Sequence, residues 1–210
     1  MGPAVVRSGT VCIDATEVTV EQYARFVNAG FSGAPTAECP SPDSGGAVQC
    51  TRPTALKPPV TCVDWCEARA FCTWSGKRLC GSKSGGVLAA GDLNIAKVDQ
   101  WFAACSLDGT RVYPYGDSYR PEACNTENSV SGPSSVEVHA SCTSSAAGPF
   151  DMSGNVAEWI DSCSGAGDGE LCMHRGGQYK NSGKDAACKA NGSVSRRSKY
   201  PDLGFRCCAD

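Results

Sequence analysis

The chain has 210 residues with a net charge of −3, long enough for one well-buried core, and a single domain over residues 1–210 is expected. The weak negative charge and the lack of a basic run argue against a nucleic-acid partner. No apolar run approaches the roughly 20 residues of a membrane helix, and no leader segment is recognisable in this sequence.

The cysteine pattern indicates the redox compartment. Fifteen cysteines are spread from Cys12 to Cys208 without a C-x-x-C pair, and only two histidines occur, so zinc-finger and zinc-ribbon sites are excluded. A distributed set of this kind predicts disulfides in an oxidising compartment: extracellular, periplasmic or at the cell surface. A reduced cytosolic protein is the alternative. Because the count is odd, at least one thiol is free, capped or part of an intermolecular disulfide.

The first predicted elements are a short strand over residues 9–14 and a helix. Thr19 and Gln22 have the spacing of a capping box, and apolar residues follow at helical intervals until Gly30. We therefore expect a helix from Thr19 to Gly30.

Residues 32–59 are rich in Gly, Pro and Ser, which predicts a surface loop. Cys39 and Cys50 lie within this loop, and a bridge across a short loop is geometrically easy. We expect a Cys39–Cys50 disulfide, although the sequence does not fix the pairing.

Two further helices are predicted. Thr61 and Asp64 form a second capping-box pattern, which predicts a helix through about Trp74. A third helix is expected from Asn94 to Cys105. After it, turn residues dominate and the strands must be short.

An eleven-residue stretch that begins at Asp151 is the strongest candidate for a site. Gly154 and Asn155 permit an unusual backbone turn, and Asp151 and Glu158 place carboxylates on either side of it. A tight loop with carboxylates and free carbonyls is typical of a hard-cation site. The alternative is an acidic turn before a strand, with Trp159 as its first core residue.

A series of short motifs occurs in a recognisable order along the chain. They are E-V-T at 17–19, P-V-T at 59–61, D-W at 64–65, A-F-C at 70–72, G-K-R-L at 76–79, Q-W at 100–101, P-Y-G-D at 114–117, G-N-V-A-E-W at 154–159, R-G-G at 175–177 and G-F-R-C at 204–207. Together they resemble the formylglycine-generating enzyme, or sulfatase-modifying factor, family over about residues 11–208. The resemblance implies an α+β variant of the C-type-lectin-like fold: loop-rich, disulfide-dense, with short antiparallel strands and two to three helices.

The resemblance also implies chemistry. The best-known members oxidise one cysteine of an unfolded sulfatase segment to formylglycine, using O₂ and a copper(I) ion held by two thiolates, which are suitable soft ligands. Other members are iron-dependent sulfur-transfer enzymes or are not catalytic, so the family alone does not fix the function.

The family's calcium loop corresponds to the stretch described above. The resemblance implies that Asp151 and Glu158 give side-chain oxygens, and Gly154 and Val156 backbone carbonyls, to a structural Ca²⁺. A second calcium site would include Asn125.

Four disulfides are expected besides Cys39–Cys50. The resemblance implies the pairs Cys72–Cys207 and Cys105–Cys188. Because the chain ends are expected to meet, Cys12–Cys208 is a further hypothesis, and closeness in sequence suggests Cys163–Cys172.

The catalytic positions of the family are not matched. Counted from the arginine of R-G-G, the two cysteine positions are occupied by Asn181 and Ala186, and the serine position by Gln178. Without thiolates there is no copper(I) pair and no thiol for exchange with substrate. Cys188 is the one candidate for a displaced catalytic thiol.

These observations predict a secreted, calcium-stabilised member that lacks formylglycine chemistry and acts as a binding or structural module for an unknown protein, peptide or glycan. The enlarged loops 32–57 and 80–95 favour a binding surface. The alternatives are a copper-dependent oxidase with rearranged cysteines and an accessory domain of a larger surface protein.

Overall fold

The structure is a computed structural model. It describes residues 1–30, 36–39, 50, 54–127 and 129–210. Most of the predicted loop 32–57 therefore lies outside the described residues.

The described residues form three α-helices: α1 (Val20–Asn28), α2 (Trp65–Trp74) and α3 (Gln100–Ser106). The predicted capping box of α1 is confirmed, since the Gln22 N–H donates to Thr19 Oγ1 at 3.3 Å and the Thr19 N–H donates to Gln22 Oε1 at 2.9 Å. No helix in the described part of the chain has the length and apolar character that a membrane span requires.

The other two helices begin later than predicted. At α2 the capping box is formed by Asp64 and Glu67, with reciprocal bonds of 2.9 Å, and not by Thr61 and Asp64. The third helix begins after Asp99, whose carboxylate accepts the Phe102 N–H at 2.9 Å. The predicted start at residue 94 is wrong because residues 94 and 96–98 lie in turns.

Within the ranges that the structure describes, eight short strands form two sheets. In chain order they are β1 (Val5–Ser8), β2 (Val11–Asp14), β3 (Arg78–Leu79), β4 (Ala157–Cys163), β5 (Leu171–Arg175), β6 (Asn191–Ser195), β7 (Leu203–Phe205) and β8 (Cys207–Ala209). One sheet has the order β1-β2-β8-β3 and the other β6-β5-β4-β7. All pairs are antiparallel, as expected, except β4 with β7, which are parallel. The expected α+β class with short strands is confirmed.

Aromatic packing joins the first two helices to the second sheet. The ring of Phe71 on α2 lies 5.9 Å from that of Tyr23 on α1 and 5.4 Å from that of Phe205 on β7, all three side chains being buried. Such contacts contribute beyond simple area burial. The Cys72–Cys207 disulfide ties α2 to β8 beside this cluster.

Fourteen of the fifteen cysteines form seven disulfides: Cys39–Cys66, Cys50–Cys62, Cys72–Cys207, Cys80–Cys208, Cys105–Cys188, Cys124–Cys142 and Cys163–Cys172. Two predicted pairs are wrong. Cys39 is bonded to Cys66 of α2, not to Cys50. Cys208 is bonded to Cys80, and Cys12 is free, because strand register places Ile13, not Cys12, opposite Cys208.

Candidate functional site

The glycine turn before β4 is built around close backbone contacts. Gly154 has φ +77°, its N–H donates to the Gly176 carbonyl at 2.9 Å, and a Cβ at this position would lie 2.2 Å from the Asn125 carbonyl oxygen. The Asn155 N–H donates to that same Asn125 oxygen at 2.9 Å. The structure thus places Gly154 of the predicted calcium loop directly against Asn125, which was predicted for a second calcium site.

The two carboxylates of the predicted calcium loop have different surroundings. Glu158 is buried and uses both oxygens, accepting from Arg206 Nε and Nη2 at 2.8 and 2.7 Å and from Trp101 Nε1 at 2.7 Å. Asp151 accepts the Glu137 N–H at 2.8 Å, and burial raises its pKa to about 6. Glu158 is therefore committed to an ion pair, whereas Asp151 is incompletely neutralised.

A third carboxylate, Glu17, adds to the buried negative charge. Its Oε1 accepts from Asn155 Nδ2 at 2.9 Å, while its Oε2 has no hydrogen-bond partner in the described part of the chain and lies 3.9 Å from Arg206 Nη2. Burial and the neighbouring Asp151 raise the pKa of Glu17 well above its usual value. Three buried carboxylates, Glu17, Asp151 and Glu158, thus share one guanidinium.

The fit of these residues to calcium is mixed. The excess of buried carboxylate, and the Glu17 oxygen that accepts no hydrogen bond from the described residues, suit a cation. However, Glu158 cannot serve as a ligand without weakening its bonds to Arg206 and Trp101, and no three acidic, cysteine or histidine side chains among the described residues converge as a metal centre. A bound Ca²⁺ would depend mainly on Asp151 and backbone carbonyls such as those of Gly154 and Val156.

A cavity of about 290 Å³ lies beside the segment that follows β5. Its walls are mostly polar and include three side-chain amides. The lining residues are Ala157, His174, Gly177, Gln178, Asn181, Asp185, Ala190 and Asn191. The cavity contains Asn181, the first of the two positions at which the resembled enzymes hold a thiol.

Neither thiol position can supply sulfur chemistry. The Asn181 Oδ1 accepts the Gln178 N–H at 2.7 Å, so this amide shapes the turn that forms the cavity. Ala186 is fully buried and its carbonyl accepts from Ser153 Oγ. Cys188, the candidate for a displaced thiol, is fully buried and bonded to Cys105.

His174 is a cavity residue that the sequence analysis did not select. It lies on β5 opposite Gly192 of β6, and a Cβ on Gly192 would lie 2.6 Å from the His174 ring. Burial lowers the pKa of His174, which favours a neutral ring able to donate and accept one hydrogen bond each. A histidine opposite a glycine on the neighbouring strand would have indicated that His174 is at the cavity. This pairing cannot be read from the sequence, because it depends on the register of β5 and β6.

Comparison with known proteins agrees with this architecture. The sequence matches the family described as "Sulfatase-modifying factor enzyme 1-like domain" over residues 4–210. It is similar to the "Inactive C-alpha-formylglycine-generating enzyme 2" of Bos taurus, at 30% identity over 169 residues, and to the protein of that name in Mus musculus, at 27% over 169 residues. The alignments cover 72% of this chain, and 50% and 49% of those relatives, so the chain spans about half the length of the curated relatives it matches.

Solved structures show the same fold at lower identity. PvdO from Pseudomonas aeruginosa is similar with a TM-score of 0.66 and 18% identity, covering 94% of this chain and 79% of that one. CarF gives a TM-score of 0.60 at 21% identity, covering 95% and 86%. Treponema denticola variable protein 1 gives 0.57 at 21% identity, covering 100% and 92%.

Proposed function

We propose that this chain, which belongs to the sulfatase-modifying factor enzyme 1-like family, has no formylglycine-generating activity and acts as a binding or structural module. The observation that carries the proposal is the chemistry at the two thiol positions. An amide and a methyl group, those of Asn181 and Ala186, stand where copper(I) would need two thiolates.

The oxidase alternative needs a replacement thiol near the cavity. Cys188 is the nearest candidate in sequence, and its disulfide with Cys105 removes it. Cys12, the free cysteine, lies on β2 of the other sheet and does not line the cavity beside Asn181. The names of the Bos taurus and Mus musculus relatives, which call those proteins inactive, also support a chain without this activity.

The amide-lined cavity supports a binding role. Gln178, Asn181 and Asn191 offer both donors and acceptors, neutral His174 adds one of each, and Asp185 adds an acceptor. A cavity of about 290 Å³ with convergent polar groups suits part of a peptide or glycan better than an apolar ligand. The ligand is therefore a protein segment, a peptide or a sugar.

The proposal also includes the compartment in which the protein works and a bound calcium ion. Seven disulfides indicate an oxidising, extracellular type of compartment, and we assign the chain to secretion or the cell surface. Calcium bound near Asp151 would offset the excess of buried carboxylate without taking part in any reaction.

The loss of activity is tested by incubating the oxidised protein with copper(I), O₂ and a sulfatase peptide that contains the target cysteine. Mass spectrometry is expected to show an unchanged peptide. Conversion of the cysteine to formylglycine, even once per protein molecule, would overturn the proposal.

The binding role is tested by screening peptide and glycan arrays with the wild-type chain and with Gln178→Ala. Loss of one hydrogen bond should weaken binding about tenfold. The matched control is Asn28→Ala, an exposed amide at the end of α1, which should bind like the wild type. If Gln178→Ala and the control bind alike, the cavity is not the ligand site.

A further inference from the structure

A second cavity, of about 340 Å³, shares no lining residue with the amide-lined cavity. Its walls include Glu38 of the enlarged loop 32–57 and Val87 of the enlarged loop 80–95. The turn between β4 and β5 adds Ala166. We call this space the loop cavity, because it is formed where these surface loops meet the body of the fold.

Trp65 on α2 forms the rigid side of the loop cavity. It is 2% exposed, and its Nε1 donates to the Ile160 carbonyl of β4 at 2.9 Å. Arg69, one helical turn later, and Arg196, just after β6, place their guanidinium carbons 5.4 and 5.0 Å from the centroid of the Trp65 ring. The indole therefore holds two cationic groups at the cavity wall.

Both guanidinium groups are bonded to the protein itself. Arg69 Nη1 donates to Glu38 Oε2 at 3.0 Å. Arg196 Nη1 donates to the carbonyls of Glu38 and Ala166 at 2.8 and 2.6 Å, and its Nη2 donates to the Gly165 carbonyl. The two arginines thus join the loops into one wall.

Asp161 of β4 is the polar side chain of this wall that has no partner. It lines the loop cavity and is partly exposed, and its carboxylate accepts no hydrogen bond within the described ranges. Its oxygens are not among the fully enclosed atoms, so a group in the cavity can reach them. Burial raises the pKa of Asp161, although the neighbouring arginines lower it. A partly desolvated carboxylate without a donor is costly, and a ligand N–H or O–H would satisfy it.

The charges around Asp161 select a neutral donor. A cationic ligand would meet Arg69 and Arg196, whereas an anionic ligand would meet Asp161 and Glu38. The remaining wall is largely apolar and includes the side chain of Val87, which is 62% exposed. A sugar would bring several hydroxyl groups to a wall with one free acceptor side chain. The loop cavity therefore suits an apolar group that carries a single donor.

We propose that the loop cavity binds the tyrosine side chain of a protein partner. The ring packs against Val87 and beside the guanidinium of Arg69, whose side chain is 37% exposed, and the phenol O–H donates to the Asp161 carboxylate. Tyrosine is enriched among the residues that fill pockets at the centres of protein interfaces. This site is separate from the amide-lined cavity and goes beyond the binding role proposed above.

The test titrates the oxidised full chain with N-acetyl-tyrosine amide, N-acetyl-phenylalanine amide and N-acetyl-lysine amide, and follows backbone amide chemical shifts. The tyrosine probe is expected to bind about tenfold more tightly than the phenylalanine probe, because it adds a hydrogen bond to a charged acceptor. Asp161→Ala should remove this preference. Glu122→Ala, which removes an exposed carboxylate outside the cavity, should keep it.

A second variant tests the cavity without changing Asp161. Val87→Arg places a further guanidinium at an exposed position of the wall, so the fold should be retained and binding of the tyrosine probe should be lost. Unchanged binding by this variant would overturn the proposal.

The three probes separate the proposal from its rivals. Equal affinities for the tyrosine and phenylalanine probes would mean an apolar trap and would overturn the proposal, as would a preference that survives Asp161→Ala. Tighter binding of the lysine probe would mean a cation site and would also overturn it. So would shifts confined to the amide-lined cavity, or no binding of the tyrosine probe up to its solubility limit. None of these results bears on formylglycine chemistry.

Discussion

Arg206 holds Glu158 by two parallel hydrogen bonds, Nε to Oε2 at 2.8 Å and Nη2 to Oε1 at 2.7 Å, with both side chains out of contact with solvent. The pair joins the start of β4 to the link between β7 and β8. Glu17 and Asp151 lie close enough to influence the same guanidinium. The buried pair is therefore the electrostatic centre of the region in which the calcium loop was predicted.

Removing one partner of this pair should be strongly destabilising. Arg206→Met leaves Glu158 buried without its counter-charge, and the free energy of unfolding should fall by about 3–5 kcal/mol. Urea unfolding at neutral pH measures it. The control is Arg25→Met, which removes an exposed ion pair with Glu21. Its free energy of unfolding should fall by less than about 1 kcal/mol. Similar losses for the two variants would contradict this role for Arg206.

The turn at Gly154 should tolerate no side chain. Gly154→Ala would place a Cβ 2.2 Å from a backbone oxygen at a residue with positive φ. The free energy of unfolding is therefore expected to fall by about 3 kcal/mol or more. Gly30→Ala is the control, because it also has positive φ, at +65°, but nothing lies within 4 Å of its Cβ. The free energy of unfolding of this control variant should fall by only about 1 kcal/mol. Equal losses in thermal or urea unfolding would show that the close contact is unimportant.

Asp14 should make stability depend on pH. Burial raises its pKa from 3.8 to about 6, although Lys77 and the Cys207 N–H lower it. Between these values the folded state retains a proton that the unfolded state has lost, so stability falls as the pH rises. Between pH 4 and pH 7 the free energy of unfolding of the wild type should fall by about 2.4 kcal/mol relative to that of Asp14→Asn. A difference in unfolding free energy that stays constant or increases over this range would contradict the raised pKa.

Calcium should stabilise the chelator-treated protein. Calcium at about 100 times its Kd should add about 2.7 kcal/mol, which raises the Tm by roughly 5–10 °C in a chain of this size. Asp151→Asn should remove most of the shift, and Asp92→Asn, outside the loop, should retain it. An unchanged Tm of the wild type on adding calcium would rule out the proposed cation.

The sequence was sufficient to predict those features of the fold that depend on neighbouring residues or on the order of short motifs along the chain. The capping box of Thr19 and Gln22 needs only a three-residue spacing, and the order of the motifs identified the architecture. At α2 two overlapping patterns fit equally well, and the choice of Asp64 over Thr61 depends on the reciprocal bond with Glu67.

The errors concern relationships between distant segments. Cys39 is bonded to Cys66 because α2 presents that sulfur to it, and spacing along the chain gives no sign of this. The pairing of Cys208 depends on register, in which a shift of one residue turns a side chain to the other face. His174 enters the amide-lined cavity for the same reason, since its position opposite Gly192 is not visible in the sequence.

The family's two catalytic cysteine positions hold no thiol in this chain, so a count of the protein's reactive thiols distinguishes an inactive chain from an oxidase. The native, non-reduced chain is labelled with an excess of alkylating reagent, then unfolded, digested and mapped by mass spectrometry. We predict one labelled cysteine, Cys12, and an intact Cys105–Cys188 disulfide. Labelling of Cys188, alone or with a second cysteine, would contradict the account and restore the oxidase alternative.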